Sequence, residues 1–300
     1  MPSILGIGEC MVELSSAGTD LWRQAFAGDV FNALWYARAV SSSSVNVAFH
    51  TAVGTDPLSD QMLDFITGAG IDCTDTPRID DRRPGLYSIH LNGAERNFTY
   101  WRDTSAARMM MHNAEVLWSK VAQADVIYLS GITLAILPPA DCALLLENLR
   151  LRKSDTAIIV FDPNIRVRLW ANKDEMRSVI SKAAFLSDIV LPSFDDELSA
   201  FGDNNPKEAA SRYHALGADH VVVKNGPADT VHLQAGVMTT YPVAPIDSVI
   251  DTTAAGDSFN GAYIASLLAG HTIRDAIVKA QSCAGQVIRH NGALMPFSNI

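Results

Sequence analysis

Four short apolar runs, "ADVIYLSG", "AIIVFD", "SDIVLPS" and "HVVVKNG", are separated by segments that read as helices. Each run is apolar at consecutive positions rather than at alternate ones, as a strand buried on both faces requires. Such strands interleaved with helices predict a parallel sheet covered on both sides. "VNVAFHTAV" adds a strand ahead of the turn "GTDPLSD". "PPADCALLLENLRLRK" opens with prolines suited to a helix's first turn. The opening "SILGIGECMVEL" reads as the first strand. With 300 residues, 48% of them apolar, the chain can bury the core of one large α/β domain or two small ones.

One segment breaks the rhythm. "GLYSIHLNGAERNFTYWR" has strand-like residues on both sides of Asn92-Gly93, a pair that favours a tight hairpin turn. An antiparallel ribbon over about 85–102 is therefore expected, either as an ordinary edge hairpin or as a lid over the ligand-binding edge of the sheet. Its aromatic and basic end, Tyr100-Trp101-Arg102, favours the lid.

The net charge of −10 argues against a general nucleic-acid partner, though clustered arginines can still hold a small anion. No run of 18 apolar residues suggests a membrane span, and the start of the chain lacks the pattern of a signal peptide. Four cysteines without a C-x-x-C pair fit buried thiols in a cytoplasmic, reducing compartment. The eight histidines form no metal motif. A Walker phosphate loop is missing. "GIGECM" lacks the third glycine of a dinucleotide fingerprint, which weighs against a nicotinamide-dependent dehydrogenase.

The stretch "DTTAAGDSFNGAY", residues 251–263, carries the most chemistry. From Ser258 it reads as a helix stopped near Gly270. The amides of Ala254, Ala255 and Gly256 at its start are suited to an anion. Asp257 reads either as a helix cap or as a base for a substrate hydroxyl. In "GDVFNALWYAR", Asp29 can accept sugar hydroxyls, and Asn32 can donate and accept. The plainer alternative is a capped core helix.

These residues resemble the C-terminal signature of the ribokinase-like (PfkB) carbohydrate kinases, usually D-T-x-G-A-G-D, with Ala254 in place of its first glycine. "GDVFNAL", "AVGTDPLSD" and "VVVKNG" follow in family order. The resemblance implies a three-layer α/β/α fold over residues 1–300, with a mostly parallel central sheet and a small β-lid. It implies direct phosphoryl transfer from ATP with Mg2+, and leaves a monovalent cation open. Asp257 would be the base, with Ala254, Ala255 and Gly256 as the anion hole. "YWRDTSAA" and "FDPNIRVRLW" are most similar to the branch of the family that phosphorylates the terminal hydroxyl of a 2-keto-3-deoxy sugar acid.

Gly28, Asp29, Asn32, Tyr87, Tyr100, Arg102, Arg166 and Asp257 are then the expected sugar-acid residues. Arg168 and Trp170 are taken as structural neighbours. Asn164, Arg166, Ser193, Lys224, Gly226, Ala254, Gly256, Ala284 and Asn291 are expected around ATP. "SFDDEL" aligns with an N-x-x-E stretch that organises magnesium, which points to Asp196 or Glu197, acting through water. A capped acidic helix start explains the same residues. An outward-facing ribbon would let two copies pair through the lid. The rival readings are a fructokinase or nucleoside kinase, and a non-catalytic sugar-acid sensor.

Overall fold

Strands of the main sheet send their side chains alternately into two apolar layers. Ile127 and Leu129 enter one layer, with Ile159, Phe161, Val221 and Val223. Val126 and Tyr128 enter the other, with Val160 and Val222. This two-sided burial is why these strands read as continuous apolar runs. The computed structural model describes residues 1–18, 20–92, 95–152 and 157–300.

In chain order the strands are β1 (Ser3–Ile7), β2 (Met11–Gly18), β3 (Leu21–Ala27), β4 (Asn46–His50), β5 (Gly85–Asn92) and β6 (Glu95–Trp101), then β7 (Val126–Ser130), β8 (Ile158–Asp162), β9 (Ile189–Val190), β10 (His220–Val223), β11 (Thr230–Gln234) and β12 (Val237–Tyr241). The larger sheet has the order β12-β11-β10-β9-β8-β7-β1-β4. It is parallel from β4 to β10, and β11 and β12 add an antiparallel edge. The helices Asp29–Val40, Ala255–Leu268 and Ile273–Val287 bury their apolar residues in one layer. Those of Pro139–Arg152 and Lys173–Leu186 enter the other.

A second sheet, β3-β2-β5-β6, stands beside the first. β5 and β6 pair antiparallel, and β2 joins β5 in parallel. Gly93 of the expected turn lies outside the described residues. The opening "SILGIGECMVEL" is not one strand, as expected, but two. β1 belongs to the main sheet and β2 to the second. The chain changes sheets at Gly8–Cys10, where Glu9 is the one polar residue between two apolar runs.

The helices Asp29–Val40 and Ala255–Leu268 meet backbone to backbone. A Cβ on Gly261 would stand 2.1 Å from the Ala33 carbonyl oxygen and 2.8 Å from the Ala37 nitrogen. Both atoms belong to rigid helix backbone, so the clash cannot be relieved by a rotamer change. Gly261→Ala is expected to lower stability by about 2 kcal/mol or more, read from the urea midpoint at constant m-value. An unchanged midpoint would show that the two helices separate easily.

Candidate active site

The parallel strands end on one edge of the main sheet, where open α/β sheets collect ligands. Glu9 follows β1, Asn164 and Arg166 follow β8, Asp196 follows β9, and Lys224 follows β10. Tyr87, Tyr100 and Arg102 of the second sheet face them. A cavity of about 690 Å3 lies between, lined by these residues with Gly28, Asp29, Asn32, Arg168 and Thr252–Asp257. The eight residues expected around the sugar acid therefore share one cavity.

Asp257 sits in the first turn of the helix Ala255–Leu268, and Asn32 sits near the start of the helix that packs against it. Asn32 Nδ2 donates to Asp257 Oδ2 at 2.8 Å. The Asn32 side-chain oxygen accepts from the Gly28 amide at 3.2 Å, so the amide is held at both ends. Burial and the neighbouring Asp29 push the Asp257 carboxyl up to about 7, with the Asn32 bond opposing them. The capping explanation is not supported, because the cap position is Ala254, which makes no side-chain cap bond.

Ala254 has φ +59°, the left-handed conformation usually left to glycine. Its own amide and those of Gly256 and Asp257 have no backbone acceptor among the described residues. The Ala255 amide, expected to be open, instead donates to the Thr252 carbonyl at 3.2 Å. Asp251 braces the loop by accepting from the amides of Thr253 (2.9 Å) and Gly292 (2.7 Å).

Asp162 closes β8 in an Asx turn, its Oδ1 accepting the Asn164 amide at 3.0 Å. Asn164 takes φ +33°, and its side chain donates to Asp29 Oδ2 at 2.8 Å. It lines the cavity described above, beside Asp29. The second oxygen of Asp162 accepts from Lys224 Nζ at 3.1 Å and from Asn260 Nδ2 at 2.6 Å. Lys224 is thus buried in a network rather than freely exposed.

The arginines differ in how their charge is met. Arg102 is only 6% exposed and is paired with buried Glu9, so most of its charge is already met inside the wall. Arg166 pairs with Asp196 at 3.1 Å. Arg168 was taken as a structural neighbour, yet its guanidinium lines the cavity and lies 4.1 Å from the centre of the Tyr100 ring. Tyr100 stacks on Tyr87 with centroids 5.7 Å apart, and the Tyr87 hydroxyl donates to Glu13. Trp170 faces a different cavity.

A second cleft of about 480 Å3 adjoins the first. Gly226 and Ala284 line it, with Val243, Ile246, Phe259 and Ile288. The two cavities share Ser193, Lys224, Thr252, Ala255 and Gly256. Asn291 lies elsewhere. It lines a cavity against the second sheet, because the chain turns away after Val287. Glu197 is also misplaced: it is fully buried against Arg212 (2.7 Å) and Tyr213 (2.9 Å), away from both clefts. One residue earlier on the same helix, Asp196 faces the cavity. Burial, set against the charge of Arg166, raises the Asp196 carboxyl.

The family model described as pfkB family carbohydrate kinase matches residues 3–299. The chain is 38% identical to the 2-dehydro-3-deoxygluconokinase of Escherichia coli K12, over 97% of this chain and 96% of the relative. It is 39% identical to the 2-dehydro-3-deoxygluconokinase of Dickeya dadantii, over the same shares. An E. coli structure described as a ribokinase II in complex with ATP and Mg2+ superposes with a TM-score of 0.83. It is 21% identical, covering 98% of this chain and 94% of that one. The chain belongs to the pfkB family of carbohydrate kinases and is an ATP-dependent sugar kinase.

Proposed function

We propose that this kinase phosphorylates the terminal hydroxyl of 2-keto-3-deoxygluconate to give 2-keto-3-deoxy-6-phosphogluconate. One observation carries the assignment of roles. Two clefts meet at Lys224 and the 252–256 loop, with Asp257 on the side of the larger one. The larger cleft is polar and rich in arginine, which suits a sugar acid. The smaller has the apolar walls that suit a flat base, so ATP laid along it would bring its phosphates to the shared boundary. The relatives that carry the sugar-acid name support this choice of substrate. A fructokinase or nucleoside kinase would have less use for arginines on the sugar side, and a sensor would have none for Asp257.

Asp257 Oδ2 is taken by Asn32, which leaves Oδ1 to accept the hydroxyl proton. The sugar oxygen then bonds to the γ-phosphorus, the bond to ADP breaks, and the proton stays on Asp257. The amides of Ala254, Gly256 and Asp257 face the transferred group, and Lys224 adds positive charge at the boundary. Mg2+ supplies charge neutralisation on the ATP phosphates. Among the described residues no group of three or more His, Cys, Asp or Glu side chains could hold a metal alone. That suits Mg2+, which is held largely by phosphates and water. Asp196 is the carboxylate we assign to it. The second sheet acts as the lid, and exposed Leu21, Trp22 and Trp101 support pairing of two copies through it. Four buried free thiols favour a reducing compartment.

Asp257→Asn should cut kcat by about 100-fold or more. It should not lower Tm at pH 8, because the native carboxyl binds its proton more tightly than the unfolded one. Ionising it as pH rises through about 7 therefore costs stability, which asparagine removes. A variant with near-normal turnover in a coupled ADP assay would reject the base. In the wild type, kcat/KM for the sugar acid should fall as pH drops below about 7 and level off above it, because the protonated carboxyl cannot accept a proton. A flat profile from pH 6 to 8, in terms of the same general-base logic, removes Asp257 from that role. Ala254→Gly should raise stability by about 1 kcal/mol, since glycine bears no penalty in the left-handed region. A fall in Tm would contradict the loop conformation.

A further inference from the structure

We infer that Arg168 reads the carboxylate of the substrate and sets the preference for an acid over a neutral sugar. The inference rests on the sugar-acid reading above and adds the residue that makes the choice. Four basic side chains line the larger cleft. Arg102 is paired with Glu9, Arg166 with Asp196, and Lys224 with Asp162. Among the described residues, Arg168 is the one of the four without a carboxylate partner. An anionic ligand gains most from a cation that is not already neutralised, since pairing there breaks no existing ion pair.

The setting of Arg168 fits that task. It rests on the Tyr100 ring at 4.1 Å, and Tyr100 is braced in turn by Tyr87. The guanidinium carbon lies over the Tyr100 ring, and among the described residues no carboxylate is paired with its N–H groups. The N–H groups lie in the guanidinium plane and remain available for a two-bond fork to a carboxylate. Arg168 lies in the short turn Val167–Leu169 just beyond β8, while Tyr100 comes from the second sheet. The stacked pair therefore spans the cleft and orders a long side chain before any ligand arrives, which reduces the entropy lost on binding. Arg168 is exposed, so its replacement leaves the core intact.

The test compares 2-keto-3-deoxygluconate with 3-deoxyfructose, the same chain with a hydroxymethyl group in place of the carboxylate. In Arg168→Gln the ratio of kcat/KM for acid over neutral sugar should fall about 10- to 100-fold, the worth of one charge-assisted contact. Arg168→Lys, which keeps the charge but not the fork, should fall between the two. Tyr100→Leu, which removes the stacking surface, should raise KM for the acid more than it lowers kcat. If 3-deoxyfructose is turned over too slowly to measure, KM for the acid at saturating ATP carries the same expectation. A ratio in Arg168→Gln within about threefold of wild type, or an unchanged KM, overturns the role of Arg168. A wild type without preference for the acid overturns the sugar-acid reading itself, and this inference with it. A folded circular dichroism spectrum shows that either result belongs to the site.

Discussion

The carboxyl of Asp257 is placed where burial, Asp29 and Asp162 all oppose its ionisation, while the Asn32 amide and Lys224 favour it. The remaining parts of the site can be understood as fixing that balance. Asn32 can hold Asp257 only if the helices Asp29–Val40 and Ala255–Leu268 lie at a set distance. That distance is fixed by Gly261 against the Ala33 carbonyl. Asp29 is turned toward Asn164 by a bond of 2.8 Å, which places one more carboxylate near Asp257 while supplying Asp29 with a donor. The general-base role proposed for Asp257 needs this kind of opposition, because a freely solvated aspartate is a weak base toward an alcohol.

The chain as a whole is acidic, yet its proposed substrates are anions. The contradiction is resolved locally. Each of three carboxylates in or beside the cleft is matched by a cation: Glu9 by Arg102, Asp196 by Arg166, and Asp162 by Lys224. These pairs give fixed geometry with little net field. In the proposed reading, selectivity for an anion then depends on the open amides at the 254–257 turn and on the guanidinium of Arg168, set against the carboxylates of Asp29 and Asp257. Lys224 has a further consequence. Its ammonium is held by Asp162 and Asn260 at the boundary of the two clefts, so its position is set before either ligand enters.

Much of this was legible in the sequence because the signals were local. Continuous apolar runs marked β7, β8 and β10, and a glycine-bearing turn before an apolar helix marked the 251–257 loop. The errors arose where position depends on distant partners. Glu197 and Asp196 are adjacent in sequence, but one step around a helix turns one into Arg212 and the other into the cleft. Asn291 follows the last long helix, and nothing nearby shows that the chain then turns toward the second sheet. Arg168 was taken as a structural neighbour because its partner Tyr100 comes from another sheet, far away in sequence. The split of the first strand at Gly8–Cys10 was hidden because a single charged residue, Glu9, separates the apolar residues on either side of it.

Ala254 joins these themes. The first amides of a helix have no acceptor within it, and among the described residues those of Ala254, Gly256 and Asp257 find none on the neighbouring backbone either. Glycine adopts the left-handed conformation of Ala254 freely, whereas alanine does so at a cost and must be held there. The restraint comes from Asp251, whose two oxygens tie the loop to its own Thr253 amide and to Gly292 near the end of the chain. The Ala255 amide is closed onto Thr252, which leaves the open donors on either side of it at Ala254 and Gly256. The loop is therefore pre-shaped by neighbours rather than by its own flexibility.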